Sequence, residues 1–194
     1  AVTFTVEEIV GKLDQTVLSG VVVAAALAAV IEHSVLGANP IFTLMHPVGL
    51  EQASDVPFHA VLGVLAGLSA VGFNRALLRL RRFFLQSSLP GWARPAVGGL
   101  VTGACAVGGL WLVRSGGVAG GGYAQLSEAL NGDLPLATLL VLGGLKLVAT
   151  LFSYASGGAG GIFAPVLFLG AMLGGVVGYI NEGAFGQTQV GAFA

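Results

Sequence analysis

The stretch YASGGAGGIFAPVLFLGAMLGG, residues 154–175, sets the reading of the whole sequence. It carries no charge, yet it gathers glycine at 157, 158, 160 and 161 and places proline at 165. Glycine and proline are the poorest helix-interior residues. Flexible backbone is therefore concentrated inside an apolar run and stops at Pro165. Outward from this stretch, further runs without charge have the length of a membrane span: Gln15 to Ile31, Val56 to Asn74, Pro95 to Val113 and Leu147 to Asn181. The hydrocarbon core of a bilayer asks for about 20 apolar residues per helix. Only 9% of the 194 residues are charged, against about 25% in a soluble domain. The expectation is an all-α polytopic membrane protein. A transmembrane β-barrel would alternate polarity in segments of about ten residues, and these runs do not alternate.

The pattern predicts a helix end over Ala1 to Lys12, a span over Leu13 to His33 and a loop over Ser34 to Val56. A long helix from Pro57 to Phe84 follows, ending in arginines. LQSSLPGWARP makes a turn, Ala96 to Val113 spans, and RSGGVAGGGY is a glycine loop. A short helix over Ala124 to Asn131, a span over Leu134 to Ser153 and a last helix over Phe163 to Tyr179 complete the order. Arg75, Arg79, Arg81, Arg82 and Arg94 lie together with no acid among them, whereas the Ser34 to Val56 loop has Glu51 and Asp55 and no Lys or Arg. The positive-inside rule puts the arginines in the cytoplasm and the acidic loop outside. Glycine pairs at i, i+4 (63/67, 99/103, 170/174, 174/178) are expected to let helix backbones approach closely.

Soluble readings of the glycine stretch fail. A phosphate-binding loop needs Lys-Ser/Thr after its last glycine, and Ile162-Phe163 stands there. A dinucleotide fingerprint needs a soluble βαβ unit. A broken membrane span fits better. Irregular backbone survives at membrane depth only inside protein or beside a water-filled cavity. Pro165 suits a first helical turn, where its missing N–H costs nothing. The amides and positive dipole end of that turn attract an anion. With no Lys or Arg nearby, the anion would be held by backbone dipoles and released again, as conduction requires. The residues alone leave a second reading open, a glycine hinge that serves close helix packing.

GGAGGIFAPVLFLGAMLGG resembles GGxFxPxLxxGAxxG, the GxFxP motif of the CLC family of chloride channels and proton–chloride exchangers. FTVEE at residues 4–8, VLGVLAGLSAVGFNRALL, GGGYAQLSEALNG and LKLVATLFSYASGGAGG resemble other segments of that family in the same order. The resemblance covers essentially the whole chain. It implies the CLC inverted-repeat fold with broken helices, residues 1–56 being the end of the first repeat and the outer loop and residues 57–194 most of the second. It implies chloride transport, with Gly161, Ile162, Phe163 and Ala164 binding the anion. Glu8 matches the internal proton-passing glutamate of the exchangers, with Glu7 its neighbour. A passive chloride channel, a fluoride-exporting relative and a structural membrane subunit with a glycine packing hinge are the alternatives. The family's GSGIP and GKEGP motifs belong before Ala1, and its late tyrosine and final helices beyond Ala194, so the chain resembles an interior portion. The implied partners are chloride, protons, the lipid bilayer and a second copy in a homodimer, with no nucleic acid.

An acid in an apolar span costs about 2.5–3.5 kcal/mol on insertion scales, so a functional use is the default. Glu7, Glu8 and Lys12 read without the resemblance as an interfacial charged end, with Glu8 and Lys12 an i, i+4 pair. Lys146 interrupts a span and is expected to pair with an acid or to reach an interface. Cys105 reads as a small apolar packing residue. His33, His46 and His59 are too scattered for a metal site, and no triad or carboxylate dyad points to an enzyme. No cofactor is expected, chloride being the substrate. The expected location is a membrane crossed several times, the inner membrane in a bacterial cell.

Overall fold

A computed structural model describes residues 15–37, 42, 55–158, 161–185 and 193. Among them are six helices: α1 (Gln15–Leu36), α2 (Asp55–Gln86), α3 (Ala93–Val113), α4 (Tyr123–Leu130), α5 (Leu136–Ala155) and α6 (Phe163–Phe185). All but α4 contain a window long and apolar enough to cross a membrane, and the chain is a multi-pass integral membrane protein. The helices form where charge-free runs were expected, because only a helix satisfies every backbone group within one spanning segment.

Residues 1–41 and 42–194 form two compact units. In the first, α1 presents Val23, Leu27, Val30, Ile31 and Val35 as exposed side chains. A helix that is apolar all round suits hydrocarbon rather than water.

The second unit is built around α5, which packs against α2, α3 and α6. Leu139, Leu142 and Ala149 of α5 join Leu126 and Ala129 of α4, Phe168, Ala171 and Met172 of α6, and Cys105 of α3 in one buried cluster. Cys105 is a free thiol buried in this packing. Side-chain hydrogen bonds among the described residues tie these elements: the Thr102 hydroxyl of α3 donates to Ala149 O of α5 at 3.1 Å, and the Tyr179 hydroxyl of α6 donates to Leu134 O, just ahead of α5, at 2.8 Å. Near the arginine end of α2, Phe84 is buried and meets Phe152 of α5 edge-on, centroids 6.2 Å apart.

Some boundaries differ from the sequence reading. α3 begins at Ala93, ahead of Pro95, because a proline in the first turn has no intrahelical N–H bond to lose. α6 continues past Tyr179 to Phe185, since a glutamate at 182 ends an apolar run without ending a helix.

Two of the glycine pairs, 63/67 and 99/103, act differently from expectation, whereas Gly174 and Gly178 are buried. A methyl placed on Gly63, Gly67, Gly99, Gly103 or Gly170 would meet nothing within 4 Å. Close approach lies instead at Gly98, where a Cβ would fall 2.7 Å from Ser156 Cβ and 2.8 Å from Phe152 O, and at Gly175, where it would fall 2.9 Å from Leu139 Cδ1. The i, i+4 spacing marks a small face without saying which neighbour covers it, and α5 crosses α3 one residue earlier than that face.

α5 and α4 end in the same way. At the end of α5, Gly157 N–H donates to Tyr154 O at 3.2 Å and Gly158 N–H to Ser153 O at 2.9 Å, with Gly157 at φ +100°. At the end of α4, Gly132 N–H donates to Ala129 O at 3.0 Å and Asp133 N–H to Glu128 O at 2.9 Å, with Gly132 at φ +76°. Both are Schellman motifs, which need a left-handed residue just past the helix. Gly157→Ala should therefore destabilise the protein by about 1–2 kcal/mol through backbone strain alone, because its Cβ would meet open space. Thermal unfolding in detergent checks this against Gly144→Ala, a helix-interior glycine with nothing within 4 Å, which should be neutral or stabilising.

Candidate functional site: a broken span and its glycine loop

The apolar stretch is interrupted between Ala155, the last residue of α5, and Phe163, the first of α6. The first helical bond of α6 runs from Val166 N–H to Ile162 O, 3.1 Å. Ile162 is thus the cap residue, Phe163 and Ala164 occupy the first two helical positions, and Pro165 the third. The amides of a first turn precede every intrahelical acceptor, and the proline contributes none. Gly161 and Phe163 are exposed, and Ile162 and Ala164 half-buried. The four residues named from the sequence as anion ligands therefore stand together at one helix start. Glu7 and Glu8 lie outside the described residues, as do Lys12 and His46.

Five residues into α6, Phe168 is fully buried. Its ring meets a glycine backbone and a lysine ammonium. Gly122, at φ +71°, sets its backbone so close that a Cβ would lie 2.6 Å from Phe168 Cδ2 and Cε2. The Lys146 ammonium stands over the ring, 5.1 Å from its centroid.

Lys146 departs from its expected role. It is 2% exposed, so it does not reach an interface, and among the described residues it pairs with no acid. Its Nζ donates instead to three backbone carbonyls of the α3–α4 loop: Gly117 O at 3.3 Å, Val118 O at 3.0 Å and Gly120 O at 2.5 Å. An ammonium has three N–H donors and no acceptor, and three carbonyls match that inventory. The glycine loop can turn its carbonyls inward here because Gly117 and Gly122 carry no side chain where Gln125 and Phe168 sit. Sequence reasoning missed this contact. The available signal was a lysine inside an apolar span together with a glycine-dense loop ahead of it.

Two lines of comparison bear on the site. The family model described as voltage gated chloride channel matches residues 1–194. The chain is 33% identical over 149 residues to the H(+)/Cl(-) exchange transporter ClcA of Yersinia pestis, covering 73% of this chain and 30% of that protein. It is 33% identical over 153 residues to the protein of the same name from Cronobacter sakazakii, covering 74% and 32%. It is 28% identical over 197 residues to that of Vibrio cholerae, covering 100% and 42%. The chain thus spans well under half the length of the curated relatives it matches. A transporter and channel family is the family here, and not one of enzymes. With the broken span in place and the match running from end to end, the chain belongs to the voltage gated chloride channel family.

Proposed function

We propose that the protein of which this chain is a part moves chloride across a membrane as a proton-coupled exchanger, working as a homodimer. The anion rests at the start of α6, on the backbone of Gly161, Ile162, Phe163 and Ala164. Glu8 passes protons toward the inner side, and Glu7 supports it. The observation that carries this reading is the position of the first α6 hydrogen bond, Val166 to Ile162, which leaves the preceding amides ahead of the helical ladder. Donors of this kind, at the end of a broken helix, suit an anionic substrate. The names of the relatives support the coupling to protons.

The test is a flux measurement on the full-length protein in liposomes. A chloride gradient should drive proton movement, and Glu8→Gln should reduce that movement at least about tenfold while chloride still crosses, as expected when a single proton carrier is removed from the path. Chloride flux with no proton movement in the wild type would mark a passive channel. Proton coupling that persists in Glu8→Gln would remove the proton role of Glu8. If neither chloride nor bromide raises the melting temperature in detergent, as a ligand of the folded state must, the glycine stretch is a packing hinge.

A further inference from the structure

Buried charge is normally neutralised by an opposite charge, because an isolated ion loses several kcal/mol of hydration. Lys146 is held in another way. Its partners are three carbonyls and an aromatic face. These groups are dipoles and a quadrupole, so they stabilise the ammonium without cancelling its net charge. Their own fields fall off with distance more steeply than the field of a charge. Beyond these partners, the described part of the second unit therefore contains a full positive charge at its core.

That charge sits over Phe168, and Phe168 belongs to the helix whose start is the proposed anion site. Five residues separate Phe168 from Phe163, about 7.5 Å of axial rise. We propose that Lys146 is a positioning residue that sets the anion affinity of the α6 start, acting as a fixed buried cation that no carboxylate among the described residues neutralises. This rests on the reading of that start as an anion site and adds its electrostatic source. The amides orient the ion, and the lysine supplies the long-range attraction that the sequence around the motif lacks. A cation kept behind a ring and a loop attracts the ion without binding it directly, so the ion can still leave.

Two unit charges on the order of 10 Å apart, at an effective dielectric of about 20, attract by an energy worth on the order of tenfold in affinity. The experiment is calorimetric titration of the full-length protein in detergent with bromide. Lys146→Met should weaken bromide binding about tenfold, and Lys146→Arg should stay close to wild type because the charge is kept. A second pair leaves the lysine in place. Ala119 lies between Val118 and Gly120, whose carbonyls accept from the ammonium, and is exposed. Ala119→Asp should weaken binding several-fold relative to Ala119→Asn by setting a negative charge on the loop that holds the ammonium and offsetting its field.

Unchanged affinity in Lys146→Met overturns the proposal, and so does equal loss in Lys146→Met and Lys146→Arg, which would mean that only loop shape matters. If Lys146→Met does not fold, equal affinities of Ala119→Asp and Ala119→Asn overturn it instead. A wild type that binds no bromide removes the anion site itself. A wild type that binds, with variants that match it, removes only the role of the lysine.

Discussion

Gly98→Val should separate α3 from the end of α5 and destabilise the protein by at least about 3 kcal/mol, the upper range for overpacking a close contact. The reason is the absence of room. A Cβ at residue 98 would come within 2.8 Å of Phe152 O, a backbone atom that cannot turn aside, and within 2.7 Å of Ser156 Cβ. Valine adds two further carbons in that direction. The clash falls on the last turn of α5, where Ser156 and Gly157 close the helix. The Thr102 bond to Ala149 O, one turn along α3, would be strained with it. Gly99→Val is the matched control, since a Cβ there meets nothing within 4 Å. It should cost little, valine being a better helix residue than glycine. Unfolding of both variants in detergent, followed by tryptophan fluorescence, gives the comparison. Equal stability of the two would mean that α3 and α5 do not cross at Gly98.

Phe168→Ala should cost about 3–5 kcal/mol, the range for removing a buried aromatic ring. Phe168 has no exposed surface, and in a membrane protein its loss is one of packing rather than of transfer from water. The cavity would open between Gly122 and the Lys146 ammonium. Removing the ring also takes away a desolvated cation–π contact, worth about 2 kcal/mol or more in such a setting. Phe168→Leu keeps much of the volume and loses the π face, so it should recover part of the deficit. Thermal unfolding of both variants without halide measures the effect. A Phe168→Ala protein as stable as wild type would show that the ring is not part of the core.

The helices were legible because membrane spans are written in length and charge, and both can be read directly. The break was legible too. Glycine at 157 permits a left-handed turn that other residues resist and proline at 165 suits only the first turn of a helix, and the structure adopts a left-handed cap at Gly157 followed by a helix start. The partners of Lys146 were hidden for a physical reason. They are backbone carbonyls, which every residue possesses, so no side chain in the sequence announces them. The choice of Gly98 over Gly99 was hidden as well, since two adjacent glycines offer two registers and only the path of α5 selects one. Glu7 and Glu8 remain assigned by resemblance, lying outside the described residues.

The way α5 ends bears on which ions the gap rejects. Unwound spans in other transporters coordinate sodium through the loose carbonyls of a half-helix. Here Phe152 O, Ser153 O and Tyr154 O accept hydrogen bonds from Ser156, Gly158 and Gly157 N–H, so these oxygens are already engaged. Among the described residues, the α6 side presents the amides of a first turn, while the three carbonyls of the last α5 turn named above are engaged. Under the proposed function such a gap favours anions over cations, and swapping sodium for a large organic cation should leave chloride transport unaltered.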